Sequence, residues 1–286
     1  MSVLEQKRLL DFVEKLPGFS PAALKIISIA NNMSTSPTEM VNAITLDPSL
    51  TARILKLINS AYFGGRSVSS LNRAVMLLGF NTIKNIALSL AVVSSMQVKE
   101  SFKWFTNSQF WEHSLACAIA AKSMAKAMDI AAVEVEEYFI AGLIHDMGMT
   151  ALIQLAPEME MIYDPSHRPE VARHDLEKEM LGVSHADLSG MMARKWKFPV
   201  SLAFAIESHH APLTAPKEYR QIALAVSFAN HGCHSIKIGI QTPVNIGNIS
   251  EEERASFPLE PGKLAECLSG LPEAVESARL FLENVD

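Results

Sequence analysis

The chain has 286 residues, 49% hydrophobic and 20% charged, and a net charge of −6 from 25 basic and 31 acidic residues. That length supports one large core or two smaller ones, and 13 Gly with 14 Pro are too few for a low-complexity chain. The acidic balance, with no cluster of five or more Lys/Arg, excludes the electrostatic footprint of direct nucleic-acid binding. The three cysteines, Cys117, Cys233 and Cys267, are far apart and form no C-x-x-C, so free thiols in a reducing cytosol are expected. The N-terminal stretch carries charges every few residues and has no apolar core of a secretory signal. Apolar runs are interrupted by Lys, Asp or His short of the ~18 residues of a membrane span. A cytoplasmic protein with no membrane partner is expected.

In chain order, Ser20-Pro21, Ser36-Pro37 and Asp47-Pro48 each pair an N-cap with proline at the first helical position, which predicts several short helices. "SLTARILKLINSAYF" sets Leu50, Ile54, Leu57, Ile58 and Ala61 on one face. Asn59–Gly65 then reads as a helix C-cap with Gly64 or Gly65 left-handed, or as a recognition loop anchored by Tyr62 or Phe63. "AVMLLGFNTIKNIALSLAVVSSM" resumes the pattern across a break at Gly79–Thr82. A polar and aromatic break at 98–108 precedes "QFWEHSLACAIAAKSMAKAM" and "VEEYFIAGLIHDMGMTALIQLA", both helical. A polar loop, "PSHRPE", leads to the helical "HDLEKEMLG", "SHADLSGMMARKW", "PVSLAFAIESHH" and "EYRQIALAVSFANHG". An irregular connection, "IKIGIQTPVNIGN", and two short helices close the chain. No run alternates with period two, so the fold class is all-α. The expected organisation is an N-terminal helical subdomain over 1–100, a second helical subdomain over 105–240 and a helical tail over 241–286.

One stretch resists this apolar reading. "FIAGLIHDMGMTALI" places His145 and Asp146 between Gly142-Leu143-Ile144 and Met147-Gly148-Met149. A buried, unpaired carboxylate costs several kcal/mol at least, so a cation must face it. No Lys or Arg stands at i±3 or i±4. A divalent metal resolves the difficulty, because it accepts neutral imidazole nitrogen and carboxylate oxygen together. His113, His185, His209 and His210 lie on neighbouring predicted helices or helix ends. Singly, a buried histidine is ordinarily a hydrogen-bonded core residue, and His209-His210 also suits a capped helix end; the metal reading rests on the set. His167 and His174 are expected to be exposed, and His231 and His234 to end a helix, where a partly charged ring suits the dipole. Met147, Met149, Met191 and Met192 read as core filler. Trp196 and Phe198-Pro199 read as packing for the helix that follows.

"HDMG" after "AGLI" resembles the His-Asp signature of the HD superfamily of metal-dependent phosphohydrolases. "LPGFSPAALKI", followed by the DPxLxxxIL…NSAYFG…A…LG string at residues 47–79, strongly resembles the HDOD domain, the HD-related output domain of bacterial signalling proteins. The resemblance covers roughly residues 10–235. It implies an all-helical fold with an HD-like half, a bacterial source, and signal output through contacts with other proteins. His113 is similar to the first HD histidine, and His145 with Asp146 to the doublet. His185, His209 and His210 are similar to the extra histidines of the HD-GYP subgroup, which hydrolyses cyclic dinucleotides at a two-metal site. Four departures weaken catalysis: Met149 replaces the phosphate-facing lysine of HDxGK, the GYP segment has no equivalent, Asn230 stands where the later aspartate falls, and Ala211 stands where a glutamate often follows the histidine pair.

The resemblance therefore implies one or two divalent transition ions, Fe, Zn, Ni or Mn, on His113, His145, Asp146, His185, His209 and His210. Asp146 would bridge, with His113 and His145 on one ion and His185, His209 and His210 on the other. Two function classes follow. One is a stand-alone output and protein-interaction module, as no receiver or GGDEF segment is attached, with a metal in a degenerate HD site. The other is a metal-dependent phosphohydrolase acting on a nucleotide, cyclic dinucleotide or other phosphorylated small molecule, with Asp146 catalytic. A metal or redox sensor whose helix packing follows occupancy is a third, lesser reading.

Overall fold

The structure is a computed structural model that describes residues 21–30, 36–60, 63, 65, 67–96, 98 and 100–278. Among the described residues every regular element is helical, as the periodicity predicts. The N-terminal part holds α1 (Pro21–Ala30), α2 (Pro37–Thr45), α3 (Pro48–Ile58), α4 (Leu71–Leu78) and α5 (Phe80–Ser95). Ser36 caps α2 in a reciprocal box with Glu39, and Asp47 caps α3 by accepting from the Leu50 amide at 2.9 Å. Both prolines stand at the first turn, where a missing N–H leaves no bond unmade. The expected helix start at Ser20, and Tyr62 of the possible recognition loop, lie outside the described residues. Helix α3 ends earlier than its glycines suggest, at cap residue Asn59. The Asn59 amide then clamps the chain by bonding both the N–H and the carbonyl of Val68, at 2.7 and 3.0 Å. Gly65 is left-handed, φ 60°, inside that loop rather than at the helix end.

The second part begins with α6 (Asn107–Ala127), capped by Thr106 with Gln109. This helix is buried nearly all round, which is why its sequence shows no single apolar face. α7 (Ala132–Ile144) lies so close along it that a Cβ on Gly142 would come 2.6 Å from the Cys117 carbonyl oxygen. Lys122 and Glu136 pair across the two helices at 2.7 Å. α8 (Met147–Leu155) follows at once. The sequence reads 135–156 as one helix; the structure breaks it at His145-Asp146, which form the turn between α7 and α8. The cause is visible at Gly148, where α8 meets the helix starting at His185 so tightly that a Cβ would lie 2.2 Å from the His185 carbonyl oxygen. A straight helix could not make that approach.

Next come α9 (Met159–Ile162), α10 (Arg173–Leu181), α11 (His185–Lys195), α12 (Val200–Glu207) and α13 (Arg220–Ser235). α14 (Glu251–Ser256), α15 (Pro261–Ser269) and α16 (Leu271–Ala278) follow. The last two return to cover α6. α5 packs on α7, so one continuous apolar core runs from the N-terminal helices to the centre. Glu134–Leu155 is long and apolar enough to cross a bilayer, 22 residues, but 89% of its apolar window is buried inside the fold. Its apolarity is that of a core element.

Candidate metal centre

Side chains from or beside four helices converge on the α7–α8 turn. His113 comes from the middle of α6, His145 and Asp146 from the turn itself, His185 from the first residue of α11, His209 and His210 from the end of α12, and Asn230 from α13. The Ser184–Asp187 capping box fixes the start of α11 and so the position of His185. His113, His145 and His209 are wholly buried, Asp146 and His185 are 3% exposed, and His210 is half-buried.

Asp146 sits at the centre. Its Oδ2 is 3.1 Å from His145 Nε2, and its Oδ1 is 3.2 Å from His185 Nε2 and 3.3 Å from His209 Nε2. His210 Nε2 is 3.0 Å from His185 Nε2. On the other side His113 Nε2 is 3.1 Å from Asn230 Oδ1, and its ring is 5.6 Å from that of His145.

Three rings are held from behind. His145 Nδ1–H donates to the Gly142 carbonyl at 2.8 Å, and His209 Nδ1–H donates to the Ile206 carbonyl at 2.7 Å. His185 Nδ1–H donates to Glu177 Oε2 at 2.6 Å. Because a carbonyl can only accept, Nδ1 carries a proton in the first two, and it is Nε2 that faces Asp146. His145 Nε2, His209 Nε2 and Asp146 Oδ1 are all buried without a hydrogen bond. Burial pushes His209 down to about 4, with the neighbouring imidazoles adding to it against Asp146, so that ring is neutral. Burial likewise takes His113 to about 4 and His210 well below its usual value. Burial opposes charge on Asp146 too, but His145 and His185 override it and hold the carboxyl well below the usual range. Burial also disfavours a charged His185, yet Glu177 and Asp146 outweigh it and lift that ring to about 10. An ionised aspartate beside the neutral rings of His113, His209 and His210 is a donor set that a divalent transition metal takes once it displaces the second proton of His185, and a ring nitrogen anchored on carbonyl or carboxylate is the usual support of a metal-bound histidine.

Several residues belong to this site that the sequence did not single out. Glu177, wholly buried on α10, accepts from both the backbone N–H (2.7 Å) and the ring of His185, and from Tyr163 Oη at 3.3 Å. His174, expected to be exposed, is half-buried, and its ring stacks on His210 at 4.1 Å. His167 is half-buried as well, but its backbone carbonyl, accepting from buried Arg173, is what it contributes. His231 donates to the Ser227 carbonyl within α13. His234 does end that helix, but its ring packs 4.5 Å from His113, and burial drives it well below its usual value, so it is neutral and caps no dipole with charge.

The connection after α13 closes the site. Gly239, φ 75°, passes so near α6 that a Cβ would lie 2.3 Å from the His113 amide nitrogen. Ile240, Val244 and Ile246 then cover a cavity of about 20 Å³ that Asp146, Met149, Tyr163, His185, His210, Asn230 and His234 line from below. Thr242 Oγ1 donates to the Trp104 carbonyl, and the Asn245 carbonyl accepts from the Arg173 amide at 2.8 Å. That volume holds about one water molecule. A second, open cleft of about 350 Å³ lies behind His210 and His174, lined also by Lys178, Asp175, Asp187 and Glu207.

The HDOD domain model matches residues 16–212, and the chain belongs to the HDOD family. A protein of Treponema pallidum (strain Nichols) described only as uncharacterised is 27% identical over 222 residues; the match takes in 77% of this chain but 42% of that one. The fold is that of a protein from Shewanella amazonensis SB2B provisionally named a phosphohydrolase, at TM-score 0.76 and 25% identity, covering 96% of this chain and 98% of the other. An HDOD domain protein of unknown function from Geobacter sulfurreducens superposes at TM-score 0.72 and 21% identity, over 97% and 98%. A second Shewanella amazonensis protein, provisionally named a metal-dependent phosphohydrolase, gives 0.62 and 19%, over 96% and 98%.

Proposed function

We propose that this chain is a regulatory HDOD protein of a bacterial cytoplasm that binds a divalent transition metal at a buried His–Asp centre and presents its helical surface to a signalling partner. The observation that carries this reading is the convergence of His145 Nε2, His209 Nε2 and Asp146 Oδ1, buried and unbonded, with the His185 ring on the same carboxylate. The charged His185 ring offsets the Asp146 carboxylate, but it leaves His209 Nε2 and Asp146 Oδ1 facing each other as acceptors in a dry interior, which a metal ion would join. Asp146 bridges two half-sites in this reading: His113 and His145 on one side, His185, His209 and His210 on the other. Iron, zinc, nickel and manganese suit such a set better than magnesium or calcium.

The chain's own residues favour regulation over turnover. The cavity beside Asp146, His185 and His210 holds about one water, and Ile240, Val244 and Ile246 narrow its mouth. No lysine faces it, because Met149 stands in that place. The cluster ties α6, the α7–α8 turn, α11, α12 and α13 together, so filling it changes the packing of five elements at once. α5 rests on α7, which connects this packing to the N-terminal half. Four of the seven large apolar side chains exposed among the described residues, Leu24, Leu46, Met76 and Leu77, lie on that half, which we take as the partner-facing subdomain, residues 1–100.

The second reading, a metal-dependent phosphohydrolase of a nucleotide or cyclic dinucleotide, draws on the 350 Å³ cleft beside His210. A bound ion would supply Lewis acidity and an activated water. In that reading Asp146 holds the ion, and His210 forms the wall between ion and cleft. Metal analysis of the purified protein together with a phosphodiester panel separates the two. Bound metal without turnover supports regulation; hydrolysis lost in a folded Asp146→Ala variant supports the enzyme.

A further inference from the structure

We infer that Cys117 is an additional metal ligand, a sulfur donor to the ion on the His113–His145 side of the centre. This deepens the proposed metal binding and rests on it. Cys117 stands one turn after His113 on α6, so the two side chains share a face. Its Sγ lies 3.5 Å from His113 Nε2. One ligand atom each from His113, Cys117 and His145 all fall within 4.8 Å of one another. All three residues are wholly buried, and His145 Nε2 has no hydrogen bond. Gly142 brings α7 against the Cys117 backbone and so fixes the separation of the two walls. Burial, the hydrogen bond with Cys233 on α13 and the nearby Asp146 all push the Cys117 thiol well above its usual value, so it stays protonated until a cation displaces the proton.

The chemistry has a consequence for the metal taken. Coordination would convert the Cys117 S–H into a metal–sulfur bond and release one proton to solvent. A thiolate moves the preference of a nitrogen–oxygen site toward zinc or ferrous iron and away from manganese. It also makes the two half-sites unequal, since His185, His209 and His210 bring no sulfur.

Cobalt(II) substitution of the full chain tests this. Wild type should show visible d–d bands and also a near-ultraviolet thiolate-to-cobalt charge-transfer band. Cys117→Ser should lose the charge-transfer band and retain cobalt, whereas Cys233→Ser and Cys267→Ser should retain the band. Zinc affinity should fall at least about tenfold in Cys117→Ser, with a smaller change for manganese. Cobalt bound with d–d bands but no charge-transfer band in wild type overturns the sulfur ligand and leaves the metal centre standing. No cobalt uptake in wild type overturns the metal centre, and the inference with it. If Cys117→Ser does not fold, X-ray absorption of the wild-type cobalt protein decides by the presence or absence of a cobalt–sulfur shell.

Discussion

His209 Nε2 lies 3.3 Å from Asp146 Oδ1, and neither atom has a hydrogen bond. The Ile206 carbonyl fixes the ring's proton on the opposite nitrogen. A lone pair therefore faces a carboxylate oxygen in a place without solvent, an arrangement that a cation between them would turn from repulsion into bonding.

Metal removal should destabilise the wild type. A ligand at a hundred times its dissociation constant adds about 2.7 kcal/mol, and in a chain of this size each kcal/mol moves the midpoint by roughly 2 °C. Scanning calorimetry with and without a strong chelator should show a fall of about 5 °C. An unchanged midpoint would mean that no metal is coupled to the fold.

Asp146→Asn should separate the two roles of the carboxylate. The amide can donate to His209 Nε2, so the metal-free form should be as stable as wild type or more so. The metal-dependent rise in midpoint should vanish. Equal loss of stability with and without metal would instead make Asp146 a purely structural residue.

Glu177→Gln should lower metal affinity by about 10- to 100-fold, since the residue orients His185 and strengthens its basicity from behind. Glu177→Ala should additionally destabilise the metal-free protein by about 3 kcal/mol, because His185 then loses the closer of its two buried carboxylate partners and its Nδ1–H is left without an acceptor. Isothermal titration and chemical unfolding measure the two effects separately. An affinity unchanged in Glu177→Gln would show that Glu177 does not position the ring.

Gly148→Ala should be costly for its size. The new methyl would meet backbone first, the His185 oxygen at 2.2 Å and the Ser189 nitrogen at 2.7 Å, and then Ser189 Oγ at 2.9 Å. α8 and α11 must then part, at about 1–3 kcal/mol, and His185 shifts away from Asp146. Both stability and metal affinity should fall; a loss of stability alone would uncouple the helix contact from the site.

Ile240→Ala should speed metal exchange. Ile240 is 3% exposed and helps to close the 20 Å³ cavity over the donors. Stopped-flow extraction by a chelator should run faster than in wild type, with the donor set itself intact. Unchanged extraction would show that metal leaves by another path, such as the cleft behind His210.

The legible part of the site was the part that breaks an apolar pattern. His145 and Asp146 stand out in their stretch because nothing nearby in sequence can pair the charge, and His113, His185, His209 and His210 followed as imidazoles on neighbouring helices. Asn230 was placed by resemblance, and its amide oxygen does meet His113. Glu177 and Arg173 escaped notice because α10 reads as a charged, solvated helix. A cue was present: Arg173, Glu177 and Leu181 recur every four residues, with Leu176 beside them, and all four are buried. His174 and His234 were misjudged because the rings they pack on, His210 and His113, come from segments distant in sequence. The break between α7 and α8 was hidden for the same reason: no proline marks it, and the close approach to α11 that imposes it is a tertiary contact.

The most direct measurement is an anomalous difference map from crystals of the metal-reconstituted protein, collected on both sides of the metal's absorption edge. The expected result is a peak beside Asp146 within bonding distance of His145, His185 and His209. A map without such a peak, with the imidazole nitrogens satisfied by protein groups or water, would contradict the metal centre and leave the HDOD fold alone.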